Sequence, residues 1–243
     1  MQIQKKEDPS PDGLYQTGAV SALTIVLIYL IEMLVVLTHG LPPTTVEGWF
    51  ALFQHDRLIG LLQSFALDVI AVSLHAPLYL ALYFHLKPAR KASAALILSV
   101  TFALIGIGVY LASNTTFSLL SLSDQYSAAR APAQKAQLLA AGQALFSIYN
   151  GTGPFAAYFL YAVSGILVSI VMLQSAGFSR PLAIAGIIGN ALELGLPPSI
   201  DPAVFLKIDP ILIGLGGILL IYWYLGIAVR LIQIGWHRSS PRA

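Results

Sequence analysis

An all-α membrane bundle is the fold class that three features of the chain predict. Of its 243 residues 57% are hydrophobic and 10% charged, against about 45–50% and about 25% in an ordinary soluble domain. The apolar residues gather into runs of about 20, the length a helix needs to cross about 30 Å of hydrocarbon at about 1.5 Å per residue. Lys and Arg concentrate in alternate connections between these runs, the asymmetry that orients polytopic proteins.

Taken in order, residues 1–18 (MQIQKKEDPSPDGLYQTG) are polar and mixed in charge and are expected to form a cytoplasmic N-terminal segment. The run that follows, Ala19 to His39, is too long for a signal-peptide core and lacks a small-residue cleavage site, so it is expected to be an uncleaved first span. Further spans are expected from Leu58 to Leu86, Ala92 to Ala112, Phe155 to Leu173, Leu182 to Leu196 and Ile211 to Ile234. The fifth is short enough to sit shallow or tilted. These six make one transmembrane domain over 19–236, followed by a cytoplasmic tail, 237–243.

With the N-terminus inside, nine of the thirteen basic residues fall on the cytoplasmic side: Lys5, Lys6, Lys87, Arg90, Lys91, Arg180, Arg230, Arg238 and Arg242. Arg57, Arg130, Lys135 and Lys207 fall outside. The split predicts a multi-pass protein of the cell membrane with both termini cytoplasmic. The long connection, 113–153, is then external. Its second half (QKAQLLAAGQALFSIY) places Leu138, Leu145 and Tyr149 at helical spacing, which predicts a short amphipathic helix over the outer mouth of the bundle, started near Pro132 and broken by NGTGP at 150–154.

Composition narrows function. A net charge of +2 with no basic cluster gives no basis for nucleic-acid binding, and the absence of cysteine removes disulfides, thiolate metal sites and cysteine nucleophiles. There is no HExxH, no GxSxG and no phosphate-binding GxxxxGK[ST]. No cofactor or metal is called for, and the chain leans away from being an enzyme.

The exceptions to the apolar pattern are three acids inside spans: Glu32, Asp68 and Glu193. A carboxyl at membrane depth needs a partner, water or a proton, so it marks a candidate functional site. Helical spacing puts Ser64, Asp68, His75 and Tyr79 on one stripe of the second span, and pairs Asn190 with Glu193 on the fifth. Such stripes turn toward the bundle interior. The functional expectation is a polar pocket between helices, nearly open to the outer side, holding a proton or a small ligand; beyond the bilayer no partner is implied. The plainer alternative is that these groups pair with one another and hold the helices together, as in an accessory or scaffold subunit of a membrane complex. A third reading, a metal-dependent intramembrane hydrolase or transferase using Asp68 and His75, lacks a second histidine one turn away.

Three stretches, SNTTFSLLSLSDQY (113–126), LLAAGQALFSIYNGTGPFAAYFLY (138–161) and VMLQSAGFSRPLAIAGIIGN (171–190), resemble a bacterial family of small six-span integral membrane proteins classed as a domain of unknown function. The resemblance implies a helical inner-membrane protein and assigns no functional residues.

Overall fold

The computed structural model describes residues 12–64, 66–87, 93–194 and 202–237, and within them the only regular structure is helix. The ten helices are α1 (Asp12–His39), α2 (Val46–His55), α3 (Arg57–Gln63), α4 (Asp68–Leu86), α5 (Ser93–Ser113), α6 (Thr116–Ala128), α7 (Pro132–Tyr149), α8 (Thr152–Leu173), α9 (Arg180–Glu193) and α10 (Pro202–His237). Five stretches among the described residues are long and apolar enough to span a bilayer: Gly13–His39, Asp68–Leu86, Ala94–Ala128, Pro132–Leu173 and Gly214–Trp236. This is a multi-pass helical bundle by length and composition.

Six helices close into a ring in the order α1, α4, α5, α8, α9, α10 and back to α1. Every neighbour runs antiparallel. Tyr15 meets His85 at one end of the α1–α4 seam, while Gly40, just past α1, accepts from Gln63 Nε2 at 3.0 Å at the other. Asp68 pairs with Tyr110 across α4–α5, Ser99 with Ser164 and Gly106 with Ala157 across α5–α8. Gly165 faces Asn190, Gly186 faces Trp223 and Gly18 faces Leu231 on the remaining seams. The N-terminal end of α1 and the C-terminal end of α10 therefore lie at the same end of the ring.

Two span expectations need correction. The fifth span is α9, 14 residues long, or about 21 Å at 1.5 Å per residue, short of the hydrocarbon thickness. It does not qualify as a full span, so five rather than six stretches do, although α9 still reverses the chain and completes the ring. Small residues let it do so. A Cβ on Gly186 would overlap the Trp223 indole and the Ser169 hydroxyl, and one on Gly189 would come within 3.1 Å of Leu220, so backbone and side chain approach closely at these positions. Gly195 and Leu196, the expected end of this span, lie outside the described residues.

The second span does not begin at Leu58. Residues 57–63 form the separate helix α3, capped at its start by Asp56, whose Oδ1 accepts from the Ile59 amide at 3.0 Å. The chain then turns, and α4 begins at Asp68. A carbonyl released at this break is not left bare: the Ser64 oxygen accepts from Thr116 Oγ1 at 2.7 Å. Pro77 lies inside α4 and deprives the Ser73 carbonyl of its helical amide partner.

The long connection, 113–153, holds two helices where one is expected. With α2, which is not anticipated from periodicity, α6 and α7 form a cap having its own core of Val46, Trp49, Phe50, Phe53, Leu119 and Leu120. The face α7 turns toward it carries Leu139, Gly142, Leu145 and Phe146, so of the expected Leu138, Leu145 and Tyr149 only Leu145 belongs to that packing. Arg57 and Asp124 add an exposed ion pair at 3.0 Å, worth at most about 1 kcal/mol.

Residues 1–11 and 238–243 lie outside the described residues, with the basic residues Lys5, Lys6, Arg90, Lys91, Arg238 and Arg242. Residues 12–18, expected as polar tail, are instead the first two turns of α1.

The close contact at Gly186 gives a direct test. Gly186→Val should overpack against Trp223 and lower stability by about 1–3 kcal/mol, whereas Gly108→Ala, with nothing within 4 Å of the added carbon, should leave the melting temperature in detergent unchanged or slightly raised.

Candidate functional site

The ring holds a partly open cavity of about 530 Å³. Its wall is built by α1, α4, α8, α9 and α10, whose lining residues include all three acids, His75 and Asn190. Because the helices are antiparallel, the C-terminal half of α1, the N-terminus of α4 and the C-terminus of α9 meet at one end of the ring, and this brings Glu32, Asp68 and Glu193 around a single space. No Lys or Arg is among the described lining residues.

His75 stands at the centre of the wall, 3% exposed. Its Nδ1 lies 2.8 Å from the Ala71 carbonyl and its Nε2 lies 2.7 Å from the Tyr224 hydroxyl. A carbonyl can only accept, so Nδ1 carries a proton; in the neutral ring Nε2 is then the acceptor and Tyr224 the donor. This bond ties α4 to α10. Around the imidazole stand Tyr161 at 5.2 Å, Tyr224 at 5.6 Å and Tyr79 at 6.3 Å between ring centroids.

Asp68 is the first residue of α4 and is buried. The unpaired amides and aligned peptide dipoles of a helix start favour a carboxylate there, and Tyr110 adds a hydroxyl donor at 3.3 Å to Oδ2. Glu32 is half-buried on α1, and its Oε1 is shut off from solvent without a hydrogen-bond partner among the described residues. The Tyr161 hydroxyl is in the same condition on α8. Glu193, also half-buried, ends α9 beside Gly217, whose added carbon would lie 3.8 Å from Glu193 Oε1. Asn190 sits one turn back, donating to the Gly186 carbonyl at 2.7 Å; its amide fills the space that Gly165 leaves by having no side chain.

Compared with known proteins, the chain matches no family model, no curated protein and no solved structure. Its chemistry has to be read from the cavity.

Of the residues singled out by spacing, Glu32, Asp68, His75, Tyr79, Asn190 and Glu193 line this cavity and Ser64 does not. Ser64 fails because the break before α4 takes it off the stripe; its hydroxyl donates to the Leu61 carbonyl at 3.0 Å, closing α3. Spacing also misses Tyr29, Tyr158, Tyr161 and Tyr224, which complete the wall. The signal was present: Tyr29 precedes Glu32 by three residues, and Tyr158 precedes Tyr161 by three, the step that keeps side chains on one helical face.

No group of three His, Asp or Glu side chains among the described residues is arranged to hold a metal ion. The acids are distributed around the cavity instead of converging on a point. What the arrangement can do chemically is accept protons or positive charge at its carboxyls and donate hydrogen bonds from its tyrosines.

The His75–Tyr224 bond supplies the test of this geometry. Tyr224→Phe should leave a buried imidazole nitrogen unpaired and destabilise the protein by about 1–3 kcal/mol, read as a lower melting temperature. Tyr222→Phe, on the exposed face of the same helix, should be neutral.

Proposed function

We propose that this chain is a non-enzymatic integral membrane protein whose inter-helix cavity binds a proton or a small ligand. The observation that carries the reading is that three acids from three different helices line one space, with a Glu32 oxygen and the Tyr161 hydroxyl unpaired among the described residues. Residues serving only to join helices would be expected to pair with each other, because an unsatisfied polar group in hydrocarbon is costly. Glu32, Asp68, His75, Tyr79, Asn190 and Glu193 form the pocket in this reading, and Ser64 is left out of it.

The orientation belongs to the same proposal. At the ring end shared by the α1 start and the α10 end lie Lys87, Arg180 and Arg230, while the cap carries Arg57, Arg130 and Lys135. Those described residues are balanced, three and three, and the nine-to-four split of Lys and Arg along the sequence is what supports a cap outside and an opposite end in the cytoplasm of a bacterial cell. Membership of the six-span family resembled by 113–126, 138–161 and 171–190 is proposed on those stretches.

Infrared difference spectroscopy in nanodiscs tests the pocket. A carboxyl band that responds to pH between about 5 and 9, and that disappears in part in Glu32→Gln and Asp68→Asn, is expected of a hydrated site able to exchange protons. Bands that never respond, in variants that merely melt earlier, would return these acids to a purely structural role.

Orientation can be tested on the same chain, which has no cysteine of its own. A cysteine placed at Ala133, in the cap, should react with a membrane-impermeant maleimide on intact cells, and one at Ser175, at the other end of the ring, should react only after lysis. The reverse pattern would invert the topology.

A further inference from the structure

We infer that the ligand of this cavity is a small organic cation, an ammonium carrying alkyl substituents, caged by tyrosine rings and balanced by the surrounding carboxyls. The inference rests on the proposed pocket and names the class of molecule it takes.

Three features of the wall select for that chemistry. The first is sign: Glu32, Asp68 and Glu193 face the space and no described Lys or Arg does, so a positive guest is the one whose desolvation the wall offsets. The second is aromaticity. Tyr29, Tyr79, Tyr158, Tyr161 and Tyr224 line the cavity, and rings that attract a cation through their electron-rich faces are the usual device for holding ammonium groups that have few or no N–H donors. Tyr161 is the member nearest His75, 5.2 Å between ring centroids, and its buried hydroxyl has no hydrogen-bond partner among the described residues. The third is size and spread. Hard metal ions need six or more oxygens within about 2.6 Å of one point, and the described acids form no such cluster. A cavity of about 530 Å³ is instead in the range that holds an organic molecule, about 300–1,000 Å³. Its apolar remainder, including Met33, Val72 and Ile221, suits alkyl groups on the nitrogen. Charge spread over such a group matches acids spread around a wall.

The test compares choline with 3,3-dimethylbutan-1-ol, which has the same shape and a carbon in place of the charged nitrogen. Each is titrated into the full chain in nanodiscs by calorimetry, with sodium chloride as the inorganic control, and the carboxyl infrared bands are recorded with and without choline. Saturable choline binding is expected, with the neutral alcohol at least about tenfold weaker and a carboxyl band that shifts on choline addition. Tyr161→Leu should weaken choline by about tenfold, the loss of a desolvated cation–ring contact. Tyr161→Phe, which keeps the ring and the fold, should retain most of the affinity. Equal binding of choline and the alcohol would overturn the inference, as would a response to sodium alone or equal losses in Tyr161→Leu and Tyr161→Phe. If choline does not bind while the carboxyl bands still respond to pH, the organic-cation inference falls and the proton-binding pocket stands. If neither choline nor pH moves those bands, both fall together.

Discussion

Hydrocarbon gives a polar group nothing to bond with, and that single constraint organises this molecule. Backbone amides and carbonyls meet it by forming helices, since only helices and closed barrels satisfy every such group within a bilayer. Side chains meet it by turning inward. Glu32, Asp68, His75, Asn190 and Glu193 are scattered over three helices, yet they face one space because the ring interior is where polar partners and room for water exist. The cavity is thus a consequence of the same physics that forms the bundle.

Closing the ring depends on α9, which is too short to cross the bilayer by itself. Its position follows from what its glycines omit. Gly186 lies against Trp223, Gly189 against Leu220, and Gly165 of α8 against Asn190. Without a hydrophobic drive between helices in lipid, close van der Waals approach is what remains to hold them, and small residues permit it. The buried Trp223 ring, with no exposed surface, is the counterpart on α10. This packing carries Glu193 to the same end of the ring as Glu32 and Asp68.

The opposite strategy appears at the start of α4. There the helix is interrupted instead of continued, and Asp68 becomes the first residue of α4. The interruption is tolerated because the cap reaches back to it: Thr116 of α6 takes the Ser64 carbonyl, and Gln63 takes the carbonyl of Gly40, whose positive φ of 82° ends α1. Cap and ring are therefore joined where the acids gather, so the cap core of Trp49, Phe50 and Phe53 supports the end of the cavity as well as itself.

The sequence by itself determined the class of the molecule, the placement of most long helices and the identity of the acids in them, because the length of an apolar run and the rarity of intramembrane charge are local properties. It also contains the marks of α2 and α3: Thr45 and Asp56 as N-caps. Periodicity could not show that Leu58 to Leu86 is two helices, since a break in a uniformly apolar run changes direction without changing composition. The shortness of the fifth run was legible in its length, but not that four further tyrosines join the wall. Those outcomes were decided by tertiary structure, because which face of an apolar helix turns inward depends on the glycines and carbonyls of the helices it meets.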